Sequence, residues 1–111
     1  MNQLDIKDLS LEGAKIIKRK MHEDERGYLT RIFFLDELKS TQVFDKIKQI
    51  NITFTKSKGT IRGLHYQSYP YAETKIVSCI KGEIFDVIVD LRKESTTFLK
   101  VHTVILSKKN Q

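Results

Sequence analysis

The sequence is dominated by short runs in which apolar and polar residues alternate, and this pattern restricts the fold more than any other feature. Alternation with a period of two places the apolar side chains on one face of a strand. The runs occupy 10–19, 28–34, 49–54, 76–80, 84–91 and 99–106. Only 35–42, or 35–48 in a longer version, has the spacing of a helix. Many short strands separated by turn signals predict an all-β sandwich or barrel.

One pair of runs predicts a hairpin. Residues 76–80 and 84–91 flank the short connection Lys81-Gly82-Glu83. Glycine adopts the backbone conformations that tight turns need, so we expect these two runs to pair in antiparallel fashion around Gly82.

A second run has an unusual polar face. Gln49, Asn51 and Thr53 alternate with isoleucine and phenylalanine, and none of the three carries a charge. A solvent-facing strand usually carries Lys or Glu, so two interpretations stay open. This face either lines a cavity or is an exposed face that lacks charge by chance.

Length and composition favour a globular protein. A chain of 111 residues is long enough for a core, and we expect one domain over 1–111. With 40% hydrophobic and 31% charged residues, it fits the soluble globular class. The longest apolar run is 32–35, far short of a membrane span, and the N-terminus has no signal pattern. A single Cys79 leaves no internal disulfide. We expect a cytoplasmic protein without a membrane partner.

The net charge of +6 raises the question of nucleic-acid binding. The lysines are scattered along the chain, and the densest basic groups, 18–20 and 108–109, lack interleaved aromatic residues. The charge can equally attract a small anionic substrate. We therefore expect no nucleic-acid partner, and a basic β-barrel that binds oligonucleotides is the least favoured reading.

The chemistry concentrates in residues 59–67, with the sequence GTIRGLHYQ. Arg62 and His65 lie three residues apart, and Lys75 follows on the next apolar run. A histidine base with cations for a phosphate and an oxyanion can move a proton next to a carbonyl. On a regular strand Arg62 and His65 would face opposite sides, so both reach one pocket only if Gly63 allows a bulge or Arg62 lies in the preceding turn. A lone histidine here is more often structural.

Metal binding is not expected. A metal-binding cupin needs a His-x-His pair with a further Glu and His, whereas this chain has His65-Tyr66-Gln67. His22 lies in a charged turn and His102 in a predicted strand, and we expect neither to be catalytic.

Five motifs in order carry a family resemblance. They are 24–28 (DERGY), 49–51 (QIN), 59–67 (GTIRGLHYQ), 75–77 (KIV) and 82–92 (GEIFDVIVDLR). The chain resembles the dTDP-4-dehydrorhamnose 3,5-epimerase family from about Asp24 onward. The resemblance implies a cupin-like jelly roll, usually dimeric, without metal or organic cofactor. It implies epimerisation of a dTDP-4-keto-6-deoxyhexose at C3, C5 or both, for the synthesis of rhamnose-type deoxysugars.

The resemblance also implies roles for single residues. His65 matches the family's general base, which removes the proton next to the C4 ketone, and Lys75 matches the lysine that stabilises the enolate oxygen. The substrate-binding positions are Arg26, Gln49, Asn51 and Arg62. This assignment agrees with the uncharged polar face of 49–54.

The chain departs from the family in two respects. Family members continue beyond the position of Gln111 and there supply a tyrosine acid and a carboxylate partner for the base, so we expect a jelly roll that is incomplete on its C-terminal side. Such a chain would oligomerise, as a homodimer, or be a fragment of a longer product. Arg31 stands where close members often carry Glu, which leaves the substrate open. The alternative function is a non-catalytic sugar-nucleotide binding or assembly module.

Overall fold

The computed structural model of the protein describes residues 3–42 and 46–110. In this part of the chain, six strands form three antiparallel two-stranded sheets, and one short helix follows the fourth strand. The elements are β1 (Leu4–Asp8), β2 (Lys15–Arg19), β3 (Met21–Asp24), β4 (Gly27–Thr30), α1 (Leu35–Lys39), β5 (Glu83–Val89) and β6 (Val101–Ser107).

The first sheet and the helix form the small apolar core. β1 pairs with β2, from Leu4 opposite Arg19 to Asp8 opposite Lys15. The buried apolar residues of the described chain are Leu4, Leu11, Leu38 and Cys79, and Leu38 is the buried residue of the helix. The backbone N–H of Gln3 donates to the Glu37 carboxylate at 2.6 Å, which joins the start of the chain to the helix.

The second sheet presents a tight turn. β3 pairs with β4, and Asp24 lies opposite Gly27 at the turn end. Gly27 has a φ of +137°, a conformation that favours glycine. The backbone N–H of Arg26 donates to Asp24 Oδ1 at 2.8 Å, a local side-chain to backbone bond typical of Asp in turns.

A buried carboxylate lies at one end of the third sheet. β5 pairs with β6, from Glu83 opposite Ser107 to Val89 opposite Val101. Asp90 follows β5, is 5% exposed, and accepts hydrogen bonds from Arg92 Nε at 2.9 Å, Ser95 Oγ at 2.6 Å and Thr97 Oγ1 at 2.7 Å. These bonds, that from Arg92 first, hold the pKa of Asp90 well below its usual range.

The loop between β5 and β6 also contacts the turn between β1 and β2. Glu12 accepts hydrogen bonds from Ser95 Oγ at 3.0 Å and from the Thr96 backbone N–H at 3.2 Å. Arg92 Nη2 donates to the Glu12 backbone carbonyl. These contacts connect the third sheet to the first, and they also lower the pKa of Glu12, the Ser95 hydrogen bond having the largest effect.

Two strand predictions and one pairing are wrong. Residues 49–54 and 76–80 are irregular rather than strands, and β5 pairs with β6 instead of with 76–80. Gly82 lies at the end of this ladder, where its carbonyl accepts the Lys108 backbone N–H at 3.3 Å. Alternation identifies residues that share a face, but it does not identify the partner strand that supplies the backbone hydrogen bonds.

The other boundaries are shorter than predicted. The run at 10–19 contains the strand only from Lys15, and the run at 28–34 only to Thr30. The helix ends at Lys39, where Ser40 Oγ and Thr41 Oγ1 donate to the carbonyls of Glu37 and Leu38. The longer version of the helix extends over 43–45, which lie outside the described residues, and 46–48 are irregular. No helix in the described part is long and apolar enough to cross a membrane.

Candidate functional site

The predicted site residues occupy two different settings. Arg26 lies in the turn between β3 and β4, a regular element. The other predicted residues lie on the irregular, solvent-exposed stretch 46–82 between α1 and β5: Gln49, Asn51, Arg62, His65 and Lys75. The geometry of the second group is therefore determined by local contacts rather than by a strand ladder.

Arg26 is held by the acid of its own turn. Its Nη2 donates to Asp24 Oδ2 at 2.6 Å, and its Nε lies 3.2 Å from the same oxygen and 3.4 Å from Oδ1. This pairing raises the pKa of Arg26 and, with the backbone bond of the turn, lowers the pKa of Asp24. The Arg26 side chain is still 86% exposed, so most of its surface can contact an anion.

Arg62 is oriented by the segment that precedes it. Its Nε donates to Thr55 Oγ1 at 3.0 Å, and its Nη2 donates to the Phe54 carbonyl at 3.3 Å. These two bonds draw Arg62 toward the end of the run that carries Gln49 and Asn51. The guanidinium fork is thereby fixed on one side while its other N–H groups stay available to a planar anion.

His65 packs closely against Gly63. Gly63 has a φ of +92°, and a Cβ added there would lie 3.0 Å from His65 Nδ1 and 3.2 Å from the His65 backbone nitrogen. Glycine is therefore required at 63 both by the backbone conformation and by the approach of the ring. Because residues 59–67 are not a strand, the parity difficulty between Arg62 and His65 does not arise.

Lys75 is paired with an acid on its own segment. Its Nζ lies 3.5 Å from Glu73 Oε1, and both side chains are partly exposed. When the Gln67 side-chain amide is oriented with its nitrogen toward this carboxylate, that nitrogen lies 2.6 Å from Oε1 and 3.1 Å from Oε2 of Glu73. Glu73 thus contacts both the segment of His65 and the lysine.

Gln49 and Asn51 are exposed on the irregular run. The three isoleucine and phenylalanine side chains that alternate with the polar residues are exposed as well: Ile50, Ile52 and Phe54. The polar residues therefore do not line a closed cavity within the described chain. Arg31 stands where close family members often carry Glu. Its guanidinium carbon lies over the Phe34 ring, 4.9 Å from the ring centroid, in a cation–π contact.

The family model described as dTDP-4-dehydrorhamnose 3,5-epimerase matches residues 8–111. The chain belongs to the dTDP-4-dehydrorhamnose 3,5-epimerase family. A curated epimerase of this family from Shigella flexneri is 43% identical over 102 residues, covering 86% of this chain and 53% of that protein. One from Methanothermobacter thermautotrophicus is 39% identical, covering 92% of this chain and 54% of that protein. The chain thus spans about half the length of these curated relatives.

Solved structures of the family share the fold of this chain. The Bacillus anthracis epimerase, solved with TDP and PPi bound, is 36% identical with a TM-score of 0.90, over 96% of this chain and 61% of that one. The Legionella pneumophila enzyme, in complex with dTDP-4-keto-L-rhamnose, is 38% identical with a TM-score of 0.88, over 97% of this chain and 57% of that one. The predicted cupin-like jelly roll is therefore confirmed as the fold class.

Sequence reasoning missed the residues that orient the predicted ones. Thr55 and Glu73 were not singled out, although each contacts a site cation directly. The spacing of Glu73 and Lys75 contained a usable signal, because residues two apart on an extended segment share a face. Thr55 offered no such signal, since its contact with Arg62 spans seven residues across a turn.

Proposed function

We propose that this chain provides the base and the anion-binding side of a site that epimerises a dTDP-4-keto-6-deoxyhexose at C3, C5 or both. The observation that carries this proposal is the family match over 8–111, a range that contains all the predicted site residues. The position of Lys75 in a contact cluster with the segment of His65 supports it. The reaction would serve the synthesis of rhamnose-type deoxysugars in the cytoplasm.

The proposed chemistry uses His65 and Lys75 together. A proton next to a ketone is far too weakly acidic for a histidine alone, so the base needs a positive charge at the developing enolate oxygen. His65 accepts the proton, and the Lys75 ammonium donates a hydrogen bond to the oxygen. Inversion also needs an acid on the opposite face of the carbon, and none of the residues assigned to this site has that role.

The remaining residues bind the nucleotide part of the substrate. The relatives solved with TDP and PPi or with dTDP-4-keto-L-rhamnose support a thymidine diphosphate sugar as the ligand of this site. Arg26 and Arg62 suit the diphosphate because a guanidinium binds phosphate oxygens in a planar fork. Gln49 and Asn51 contact the sugar as neutral hydrogen-bonding groups. The proposal involves no cofactor.

Deuterium exchange tests the proposal. In deuterated water, the chain is incubated with dTDP-4-keto-6-deoxyglucose, and mass spectrometry and NMR follow deuterium at C3 and C5. We expect incorporation by the wild type, loss of incorporation in His65→Ala, and unchanged incorporation in His102→Gln, a histidine of β6 outside the site. Absence of exchange in the wild type would refute catalysis by this chain. Saturable binding of the nucleotide sugar without exchange would favour the non-catalytic binding module.

A further inference from the structure

We propose that Asp24 is a positioning residue that determines which edge of the Arg26 guanidinium faces the diphosphate of the substrate. This inference rests on the proposed function, in which Arg26 binds the diphosphate, whereas the contact between the two side chains is a property of the fold. No role was assigned to Asp24 on sequence grounds, where it belongs only to the motif 24–28.

The Asp24 carboxylate is itself held in place. Asp24 is the last residue of β3 and lies opposite Gly27, the first residue of β4, so its backbone belongs to a regular ladder. Its Oδ1 accepts the Arg26 backbone N–H at 2.8 Å. A short Asp side chain that accepts a backbone hydrogen bond from two residues further along a turn loses most of its freedom to rotate. The carboxylate is therefore a fixed acceptor for the arginine side chain.

This acceptor occupies one edge of the guanidinium. Arg26 Nη2 donates to Asp24 Oδ2 at 2.6 Å, and Nε lies 3.2 Å from the same oxygen. Of the five N–H groups of a guanidinium, the Nε–H and one Nη2–H lie along this edge. The side-chain hydrogen bonds that Arg26 makes within the described chain all go to Asp24. The edge formed by Nη1 and the second Nη2–H is therefore the one left for a ligand.

The free edge is accessible to an anion. The Arg26 side chain is 86% exposed, and a Cβ built at Gly27 would have nothing within 4 Å, so the turn is open beside the arginine. Arg26 and Tyr28 are among the residues that line an open depression of about 420 Å³ on this hairpin. Two parallel N–H groups on one edge match two oxygens of a phosphate. Asp24 thus presents the arginine with a phosphate-binding edge directed away from the carboxylate.

Asp24 has two opposing effects on the binding of an anion. Binding orders a long side chain, and an arginine that is already held loses less freedom, which corresponds to about two- to ten-fold in affinity. The negative charge of Asp24 acts in the opposite direction. This charge is screened by solvent and salt, because the Asp24 side chain is 51% exposed and the Arg26 side chain more so. We therefore expect loss of the carboxylate to weaken binding.

Asp24→Asn tests this expectation against a matched control in the same turn. Asparagine keeps an oxygen for the Arg26 backbone N–H but removes the charge that attracts the guanidinium. Glu25→Gln removes the same charge from the next residue, which is exposed. By calorimetry of the full chain with TDP, we expect a Kd about two- to ten-fold higher in Asp24→Asn and no weakening in Glu25→Gln. Unchanged or tighter binding in Asp24→Asn would overturn the positioning role.

A second measurement follows Arg26 directly and needs no ligand. In ¹⁵N relaxation by NMR, we expect the Arg26 Nε–H group to be restrained in the wild type and in Glu25→Gln, and to gain mobility in Asp24→Asn. Urea midpoints should be the same in the two variants, which separates a change in Arg26 from a general loss of stability. An Arg26 Nε–H that is as mobile in the wild type as in Asp24→Asn would overturn the placement.

The two measurements separate this inference from the proposed function. Restraint of Arg26 by Asp24, together with no TDP binding by the wild type, would refute the nucleotide-binding role of the site and leave the placement of the arginine supported. Binding of TDP by the wild type with the same Kd in Asp24→Asn would leave the proposed function in place and overturn the role of Asp24.

Discussion

The close contact between Gly63 and the His65 ring predicts that an alanine at position 63 displaces His65. Substituting Gly63→Ala adds a Cβ that would lie 3.0 Å from the imidazole Nδ1 and 3.2 Å from the His65 backbone nitrogen. Ordinary van der Waals contact needs about 3.4 Å or more, so the ring and the backbone must both move by a few tenths of an ångström. The positive φ of +92° adds a backbone penalty of about 1–2 kcal/mol for a residue with a side chain.

Gly59 provides a matched control. Its φ is +84°, and an added Cβ would have nothing within 4 Å. Gly59→Ala therefore has a similar backbone penalty, about 1–2 kcal/mol, without the contact to His65. The difference between the two alanine variants isolates the displacement of the base from the strain of the backbone.

The expected results separate these effects. Urea denaturation should show a similar loss of stability in both variants. Because a shift of about 1 Å at a reacting group lowers rates by about a hundred-fold, the smaller displacement in Gly63→Ala should lower deuterium exchange about ten-fold below Gly59→Ala. The NMR signals of the His65 ring should move only in Gly63→Ala. If ring signals and exchange are the same in the two variants, the close approach of His65 to Gly63 does not position the base.

Two further predictions concern the neighbouring contacts. Asp90 has a lowered pKa in the folded chain, so its stabilising contribution is complete above the unfolded pKa of about 4 and is lost as the pH falls below that value. The urea midpoint should therefore fall more steeply between pH 6 and pH 3 in the wild type than in Asp90→Asn, and parallel curves would contradict this. Thr55→Val removes the hydroxyl that accepts from Arg62, so nucleotide-sugar binding should weaken by about 1 kcal/mol, while Thr53→Val on the same run should bind as the wild type does. Equal affinities by calorimetry would show that Thr55 does not orient the arginine.

The sequence pattern predicted the positions of strands better than it predicted which strands pair with each other. β5 and β6 overlap the runs 84–91 and 99–106 that were predicted as strands, yet the predicted hairpin around Gly82 was wrong. Beside the ladder that forms instead, Asp90 orders the loop between β5 and β6 by accepting hydrogen bonds from three loop residues: Arg92, Ser95 and Thr97. Alternation of apolar and polar residues shows which side chains share a face of a strand. Strand pairing also depends on polar contacts such as these, and they do not recur at a regular spacing in the sequence.

The candidate site shows a similar division. The roles of the site residues come from the resemblance that the ordered motifs carry, and they stay predictions. Their orientation did not follow, since it depends on where the ends of long side chains meet. Thr55 against Arg62 and Glu73 against Gln67 are contacts of this kind. Of the two interpretations of the polar face of Gln49, Asn51 and Thr53, the cavity is not seen in the described chain, where all three residues are exposed.

The exposure of the site segment links catalysis to association. Ile50, Ile52, Phe54 and Ile61 are 77–89% exposed, and large apolar side chains left in water are a strong driving force for burial. The backbone has the same fold as its longer relatives. A second protein surface packed on these apolar side chains would therefore exclude water from them without changing the backbone. Exclusion of water would strengthen the hydrogen bond that we propose between Lys75 and an enolate oxygen. If a second copy supplies that surface, exchange per chain should rise with protein concentration in parallel with the mass measured by light scattering. A compact monomer whose exchange rate per chain is independent of concentration would refute this coupling.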